Sequence, residues 1–219
     1  YPGCACDVPS RLYSYSFEQN YDWSDGFAPQ REIYDYLGKC ADKYGVRPHV
    51  RFNTEIARAD FDEATSVWAL RTTRGDIIEA DIFISAMGLF NRAKLPDIPG
   101  RDGFRGESFH SSQWNHEYDL TGKKVAVIGT GASAIQFVPE IAKQVERLHV
   151  FQRTPHYVMP KGARSTHPSK RSWFQRHAMG RLLERFNIFY TMEKGTRRRS
   201  SPEMTEAAEQ VFLQALERQ

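Results

Sequence analysis

A glycine-rich turn between a buried strand and a helix constrains the fold of this chain more than any other feature. The stretch KKVAVI at 123–128, with its apolar run VAVI, predicts a buried strand, and GTGASA at 129–134 follows it directly. Apolar residues then recur at helical spacing from 134 to 145, and LHVF at 148–151 predicts a second strand. This order predicts a βαβ unit with parallel strands, and therefore an α/β fold.

The turn GTGASA matches the GxGxxA pattern of dinucleotide-binding folds. Gly129 permits the tight turn out of the strand, Gly131 lets the backbone approach a pyrophosphate, and Ala134 keeps the helix close to the strand. The N-terminus of the helix then presents free N–H groups and the positive end of its dipole to the phosphates. Because the turn lies between a strand and a helix, the sequence predicts a dinucleotide site here.

The residues after the second strand indicate which dinucleotide binds. Proteins that bind NAD usually carry an Asp or Glu there, whereas this strand is followed by Gln152-Arg153-Thr154. A guanidinium pairs with a phosphate through two parallel hydrogen bonds, and Thr154 adds a nearby donor. Arg153 therefore predicts NADP; the alternative is an ordinary solvated arginine at a strand end.

The composition predicts a globular, cytoplasmic protein without a membrane span. Hydrophobic residues make up 40% of the chain, and no apolar run approaches the roughly 18 residues that a membrane helix needs. The cysteines predict neither a disulfide framework nor a metal site, because Cys4 and Cys6 lie too close for a CxxC pair. Residues 161–219 carry 12 Lys and Arg against 6 Asp and Glu. These charges are scattered, which predicts a solvated helical face and no nucleic-acid site.

Shorter elements are predicted elsewhere in the chain. Residues 1–29 are irregular and interrupted by prolines, whereas 30–44 predict an amphipathic helix that Gly45 ends. Strands are predicted at 50–53, 66–73 and 77–79, as a small antiparallel meander, and a buried strand at 82–86. Pro139 predicts a kink in the helix of the βαβ unit, and residues 165–219 predict further helices.

A second motif lies just upstream of the nucleotide turn. FRGESFHSSQW at 104–114 fits the pattern FxGxxxHxxxW through Phe104, Gly106, His110 and Trp114. Three further segments carry the same resemblance and occur along the chain in this order: YPGCACDVPS, ISAMGLFNRAKLPDIPG and VFQRTPHYVMP. With these motifs the chain resembles the flavin-dependent Baeyer–Villiger monooxygenases over approximately residues 1–160.

The resemblance implies two dinucleotide-binding, Rossmann-like domains, one for FAD and one for NADPH. Residues 1–100 would be a partial FAD domain with the small meander, 101–121 a linker with the FxGxxxHxxxW motif, and 122–219 an incomplete NADP domain with a helical insertion. NADPH would reduce the flavin, and a C4a-peroxyflavin formed with O2 would attack a ketone to give an ester or lactone. The oligomeric state stays open.

The resemblance also implies roles for individual residues. Asp7 would be the catalytic carboxylate that orients an arginine near the flavin; as a plain sequence position it also suits the cap of a turn. The positions implied for FAD are Tyr13, Ile56, Ala86 and Gly88. Those for NADP are Gly129, Thr130, Gly131, Ser133, Ala134, Gln136, Arg153 and Thr154. His110 and Trp114 would register nucleotide occupancy, or else serve as a structural histidine and a core tryptophan of the linker.

The chain departs from the family pattern at several points. Ala5 replaces an arginine that is common before the Cys-Asp pair, and Asn115 follows Trp114 where Pro or Asp is usual. These changes leave the substrate and linker details open. The family's first GxGxxG is absent, so we expect this chain to be part of a longer enzyme, and to be inactive and a poor binder of FAD by itself.

Three alternative functions compete with ketone oxygenation. Flavin monooxygenases that oxygenate nitrogen or sulfur share the architecture but tend to carry Tyr or Phe where this chain has Trp114. A non-catalytic NADP-binding module would also account for the nucleotide turn. A pyridine-nucleotide disulfide reductase would need a dithiol beside the flavin, and Cys4-Ala5-Cys6 has the wrong spacing for one.

Overall fold

The computed structural model describes residues 1–88, 90–154 and 166–199. In chain order the helices and strands are α1 (Gln30–Lys43), β1 (Ile56–Asp62), β2 (Val67–Thr72), β3 (Ile77–Ala80), β4 (Lys124–Ile128), α2 (Ala134–Ile141), β5 (Arg147–Phe151), α3 (Pro168–Arg176) and α4 (Ala178–Arg199). The chain divides into two compact units. The first unit comprises residues 41–119 with Tyr1, and the second comprises residues 2–40 and the chain from 120 onward.

The second unit contains the predicted βαβ arrangement. Strands β4 and β5 pair in parallel, with Lys124 opposite Arg147 and Ile128 opposite Phe151. Helix α2 connects them and buries Ala134, Phe137 and Ile141. Parallel strands need a crossover connection, and α2 provides it, so the predicted βαβ unit is confirmed. The predicted burial of β4 is wrong for the described residues, because Val127 is its one buried residue and Ile128 is exposed.

Helix α2 is shorter than its apolar pattern predicts. It begins at Ala134 and ends at Ile141, two residues after Pro139, whereas the pattern extends to residue 145. The N–H groups of Gln144 and Val145 both donate to the carbonyl of Ile141, which closes the chain into a tighter turn. Because proline has no N–H to donate, it weakens the last helical turn and favours this early end.

A small aromatic core lies in the N-terminal part of the second unit. Residues 2–29 form turns and isolated bridges, as their prolines predict. Trp23 and Ala28 are fully buried against Tyr36 and Cys40 of α1. Helix α1 ends at Lys43, and Gly45 adopts a positive φ of 62°, so the predicted helix and its glycine stop are both confirmed.

Helices α3 and α4 follow in the second unit and contact each other. His167 caps α3 through its Nδ1, which accepts a hydrogen bond from the N–H of Ser169. Phe174 is the buried residue of α3. The prediction of helices after residue 165 is thus confirmed as far as Arg199, and the remainder of it lies outside the described residues.

The first unit contains a three-stranded antiparallel sheet in the order β1-β2-β3. The predicted meander is present, but its first strand is 56–62 rather than 50–53. The predicted position is wrong because residues 47–49 form a 3-10 turn around Pro48, and the turn residues that follow include Asn53 with φ of 53°. Asp62 ends β1, and its carboxylate accepts a hydrogen bond from the N–H of Ala64. Backbone hydrogen bonding there lowers the pKa of Asp62.

The predicted buried strand at 82–86 is wrong for the described residues. No strand is assigned there, and Ile82 and Ile84 are 77% and 80% exposed. An apolar run becomes a buried strand only when neighbouring strands satisfy its backbone groups. No described strand pairs with this segment, although Phe83 packs on Trp68 of β2, with ring centroids 5.4 Å apart.

Within the described ranges, none of the helices has both the length and the apolar composition that crossing a bilayer requires.

Candidate nucleotide-binding site

The turn between β4 and α2 has the geometry of a phosphate cradle. Gly129 has φ of 104°, a backbone conformation that would be strained in any residue with a side chain. Its N–H donates to the carbonyl of Phe151 at 2.9 Å. A Cβ on Gly129 or Gly131 would meet no atom within 4 Å, so the space beside the turn is open. The N–H groups of residues 130–133 donate to no acceptor within the described parts of the chain. Successive free N–H groups of this kind bind anions.

The side chains of the turn are held by a few local contacts. Ser133 precedes α2 and makes no capping hydrogen bond with its side chain, and Ala134 is buried. Thr130 accepts a hydrogen bond from Nε2 of Gln152 across 3.3 Å. This contact joins the turn to the residue that follows β5, on the same edge of the two-stranded sheet.

Arg153 and Thr154 lie immediately after β5 and are exposed. Arg153 forms no ion pair or hydrogen bond with the described residues. Because the carboxyl ends of β4 and β5 share one sheet edge, the free guanidinium lies at the same end as the phosphate cradle. This is the end at which ligands bind in open α/β sheets.

Gln136 makes a contact that the sequence did not predict. Its Oε1 accepts from the N–H of Ala5 at 3.0 Å, and its Nε2 donates to the carbonyl of Ala5 at 3.2 Å. The two residues are 131 positions apart, so no local pattern could indicate their contact. The proposed role of Gln136 at NADP stays a prediction, but its amide is already engaged with backbone.

The two second-unit residues that the resemblance assigns to the flavin are accessible. Asp7 is exposed and has no hydrogen bond or ion pair with the described residues. Tyr13 is also exposed and lies at the end of a turn in which its N–H donates to the carbonyls of Pro9 and Ser10. Asp7 lies two residues after Ala5, which is hydrogen-bonded to Gln136 of α2, and its carboxylate has no partner within the described residues.

The first unit holds the other residues that the resemblance assigns to the flavin. Ile56 begins β1 and is partly exposed, whereas Ala86 and Gly88 lie in exposed backbone outside any strand. Gly88 has φ of 77° with open space around it. The described residues of this unit contain no glycine-rich turn between a strand and a helix, so they form no phosphate cradle for FAD.

The motif FxGxxxHxxxW forms a compact local structure in the first unit. A Cβ on Gly106 would lie 2.5 Å from the ring of Phe104, so a side chain at this position would require that exposed ring to move. His110 caps the 3-10 turn at Ser111–Gln113, because its Nδ1 accepts from the N–H of Ser112 at 3.2 Å. Trp114 packs edge-on against Phe109, with ring centroids 5.2 Å apart. These contacts give the motif a structural role, and its response to nucleotide stays a prediction.

The chain is similar to known proteins over most of its length. A family model described as flavin-binding monooxygenase-like matches residues 8–193. A Baeyer-Villiger monooxygenase of Streptomyces coelicolor is 51% identical over 172 residues, which cover 78% of this chain and 33% of that protein.

Two solved structures extend the comparison. An oxidized steroid monooxygenase bound to NADP aligns with a TM-score of 0.74 and 41% identity, over 80% of this chain and 35% of its own. The OTEMO complex with FAD and NADP aligns with a TM-score of 0.75 and 37% identity, over the same shares. The chain thus spans about a third of the length of these relatives.

Proposed function

The chain belongs to the flavin-binding monooxygenase-like family, and on that premise we propose that it is the NADPH-binding part of a Baeyer–Villiger monooxygenase. The whole protein would use NADPH and FAD to insert one oxygen atom of O2 into a ketone, giving an ester or lactone and water. The names of its relatives support this reaction, since the Streptomyces protein is a Baeyer-Villiger monooxygenase.

The observation that carries the proposal is the cradle of free N–H groups after β4. Residues 130–133 offer four backbone N–H donors at the N-terminus of α2. They follow Gly129, whose φ of 104° would be strained in any other residue. A pyrophosphate would accept these hydrogen bonds and gain from the positive end of the helix dipole. The described residues therefore fit the pyrophosphate of NADPH.

Arg153 is the proposed determinant of NADPH over NADH. Its exposed guanidinium has no partner within the described residues, and residues 152–154, which follow β5, include no carboxylate that could bind a ribose 2′-hydroxyl. A planar guanidinium suits the extra 2′-phosphate of NADPH because it can donate two parallel hydrogen bonds. Thr154 would supply a further donor beside it.

FAD would supply the hydride acceptor and the oxygen chemistry, which no amino-acid side chain provides. The described residues show no cradle for its phosphates, so they do not by themselves form the flavin site. Asp7 is the proposed catalytic carboxylate of this chain. It is exposed and unpaired within the described residues, and it can therefore orient a cationic group supplied elsewhere in the protein.

The reaction can be tested by product analysis with the full-length protein. Incubation with NADPH, O2 and a panel of ketones is expected to give esters or lactones, identified by mass spectrometry. A parallel panel of amines and sulfides provides the contrast. Oxygenation of the amines or sulfides alone would contradict ketone chemistry and favour the nitrogen- and sulfur-oxygenating enzymes. Binding of NADPH without any product would favour a non-catalytic module.

The coenzyme preference can be tested with Arg153→Ala in the full-length protein. Hydrogen bonds to charged groups contribute about 1.5–3 kcal/mol, and each 1.4 kcal/mol is about tenfold. The ratio of kcat/KM for NADPH over NADH is therefore expected to fall about 10- to 100-fold. Arg147→Ala, at the opposite end of β5, is the matched control and should leave the ratio unchanged. An unchanged ratio in Arg153→Ala would contradict the assignment.

A further inference from the structure

The side chain of Gln136 is hydrogen-bonded to the backbone of the N-terminal segment at Ala5. We call this pair of hydrogen bonds the Gln136–Ala5 clasp. Gln136 lies in the first turn of α2, and its amide makes two hydrogen bonds to one residue, accepting from Ala5 N–H at 3.0 Å and donating to Ala5 C=O at 3.2 Å. A primary amide that pairs with both backbone groups of one residue reproduces the pairing of a neighbouring β-strand. Both ends of the amide are thereby satisfied.

The residues around Ala5 are fixed from the other direction as well. The N–H of Cys6 donates to the carbonyl of Ala28 at 2.9 Å, and the N–H of Gln30 donates to the carbonyl of Cys4 at 2.9 Å. The segment is therefore held between the start of α1 and the first turn of α2. A shift of α2 would be passed to this segment through Gln136.

Gly3 shows how closely the segment approaches α2. A Cβ on Gly3 would lie 2.9 Å from the carbonyl oxygen of Gln136 and 3.0 Å from Cγ of Glu140. Gly3 also has φ of 71°, which side chains rarely adopt. Only glycine allows the chain to pass over the helix at this point, so the clasp has room to form.

The clasp connects two features of the proposed site. Along α2, Gln136 lies three residues after Ser133, a rise of about 4.5 Å from the last free N–H group of the cradle. Along the N-terminal segment, Asp7 lies two residues after Ala5, which is at most about 7 Å of extended chain. The path from the N–H donors to the carboxylate of Asp7 therefore runs along one turn of α2 to Gln136, across its hydrogen bonds to Ala5, and along two residues of chain.

We infer that Gln136 is a positioning residue that couples nucleotide occupancy at the turn after β4 to the placement of Asp7. Phosphates that bind the free N–H groups would restrain the first turn of α2, and Gln136 would pass that restraint to Ala5 and the carboxylate beyond it. This inference rests on the proposed function, because it takes NADP as the ligand of the cradle. The competing role, direct contact with the nucleotide, would require Gln136 to give up one or both bonds to Ala5.

The test uses hydrogen exchange in the full-length protein with and without NADP⁺. The variant Gln136→Met keeps the length of the side chain but removes both hydrogen bonds. Gln144→Met is the matched control, because Gln144 lies just after α2 with an exposed side chain. NADP⁺ is expected to slow exchange at the amides of residues 4–7 in the unvaried protein and in the control. In Gln136→Met this slowing should be lost while the Kd for NADP⁺ changes by less than about threefold, since the backbone cradle is intact.

A second variant reaches the clasp from the other side. Gly3→Ala forces the segment away from α2 without changing Gln136, and it should likewise abolish the response of residues 4–7 to NADP⁺. Slowing that persists in Gln136→Met, or a Kd that rises more than about threefold there, would overturn the inference in favour of no coupling or of direct contact. Failure of NADP⁺ to bind the unvaried protein would instead overturn the proposed function, and the inference with it.

Discussion

Tyr36 shows how one buried side chain organises the N-terminal part of the second unit. Its hydroxyl donates to the carbonyl of Glu18 at 2.7 Å and accepts from the N–H of Tyr15 at 2.7 Å. Its ring packs against Trp23, with centroids 5.5 Å apart. Burial is the main cause that raises the pKa of Tyr36 to about 12. The folded chain therefore favours the neutral phenol.

The raised pKa predicts how stability responds to alkaline pH. An unfolded tyrosine ionises near pH 10, and Tyr36 in the folded protein near 12, so its contribution to the free energy of unfolding is complete below pH 10 and falls as pH rises from 10 to 12. Tyr36→Phe should therefore lose less stability across this range. At neutral pH it should be less stable by about 1–3 kcal/mol, because the Tyr15 N–H loses its acceptor.

Urea unfolding at several pH values would measure both effects of Tyr36→Phe. Tyr34→Phe on the same helix is the matched control, because Tyr34 is exposed and should behave as the unvaried protein at each pH. Equal stability of Tyr36→Phe and Tyr34→Phe at neutral pH would contradict the role given to the buried hydroxyl.

At the scale of elements, the turn between β4 and α2 separates two uses of glycine. Gly129→Ala is expected to destabilise the protein by about 1–3 kcal/mol, because φ of 104° strains any side chain. Gly131 has no positive φ and no neighbour within 4 Å of a Cβ. Gly131→Ala should therefore preserve stability yet weaken NADPH binding, since the added methyl group would meet the pyrophosphate.

Thermal unfolding and a nucleotide titration of both variants in the full-length protein would separate the two roles. The assignment of Gly131 to the pyrophosphate would be contradicted if Gly131→Ala bound NADPH as tightly as the unvaried protein. Equal melting temperatures for Gly129→Ala and the unvaried protein would show that the turn tolerates a side chain.

The elements that could be predicted from the sequence are those with local causes. The βαβ unit follows from two apolar runs and a glycine turn, and α1 from a helical apolar face that Gly45 ends, so both were predicted correctly. Strand β1 was missed because its alternate apolar positions Ala57 and Ala59 are small and give a weak signal, and burial does not alternate along the strand. The run 82–86 was predicted as a strand from hydrophobicity alone, which does not specify a partner strand.

The same distinction applies to the candidate site. Gly129, Gly131 and Arg153 belong to a local pattern and could be chosen from the sequence. The clasp between Gln136 and Ala5 joins positions 131 residues apart, and only the fold brings them together. Residue type alone marks Gln136 as polar near a nucleotide turn, and it cannot distinguish a ligand contact from a backbone contact.

At the largest scale, cationic side chains attach α3 and α4 to residues 11–24 within the second unit. Nε of Arg11 lies 2.8 Å from Oε2 of Glu184, with the two side chains only 11% and 19% exposed. The guanidinium also lies 4.0 Å above the ring of Phe174. The Arg11–Glu184 contact lies outside hydrogen-bond geometry, and Nη1 of Arg11 has no hydrogen-bond partner within the described residues. Charge attraction and packing therefore hold the side chain of Arg11 at this junction.

The junction continues along the neighbouring residues. Arg185 donates to the carbonyl of Arg11 at 2.7 Å, and Arg181 lies over the ring of Tyr21 at 4.6 Å. Burial lowers the pKa of Arg11, whereas the charge of Glu184 acts in the opposite direction. Glu184 is thus the counterion that makes a buried guanidinium tolerable here.

Removing that counterion predicts a large and specific loss of stability. Breaking a buried ion pair costs about 3–5 kcal/mol, and because both side chains retain some exposure we expect about 2 kcal/mol for Glu184→Gln. The double variant Arg11→Met with Glu184→Met should recover most of this loss, since apolar residues remove the buried charge altogether. Glu146→Gln is the control, because its pair with Lys124 is well exposed and should contribute less than about 1 kcal/mol.

Urea unfolding would give these free energies, and hydrogen exchange would show faster opening of α4 in Glu184→Gln alone. If Glu184→Gln were no less stable than Glu146→Gln, the ion pair would not be what attaches α4 to residues 11–24, and the aromatic contacts at Phe174 and Tyr21 would have to account for the junction.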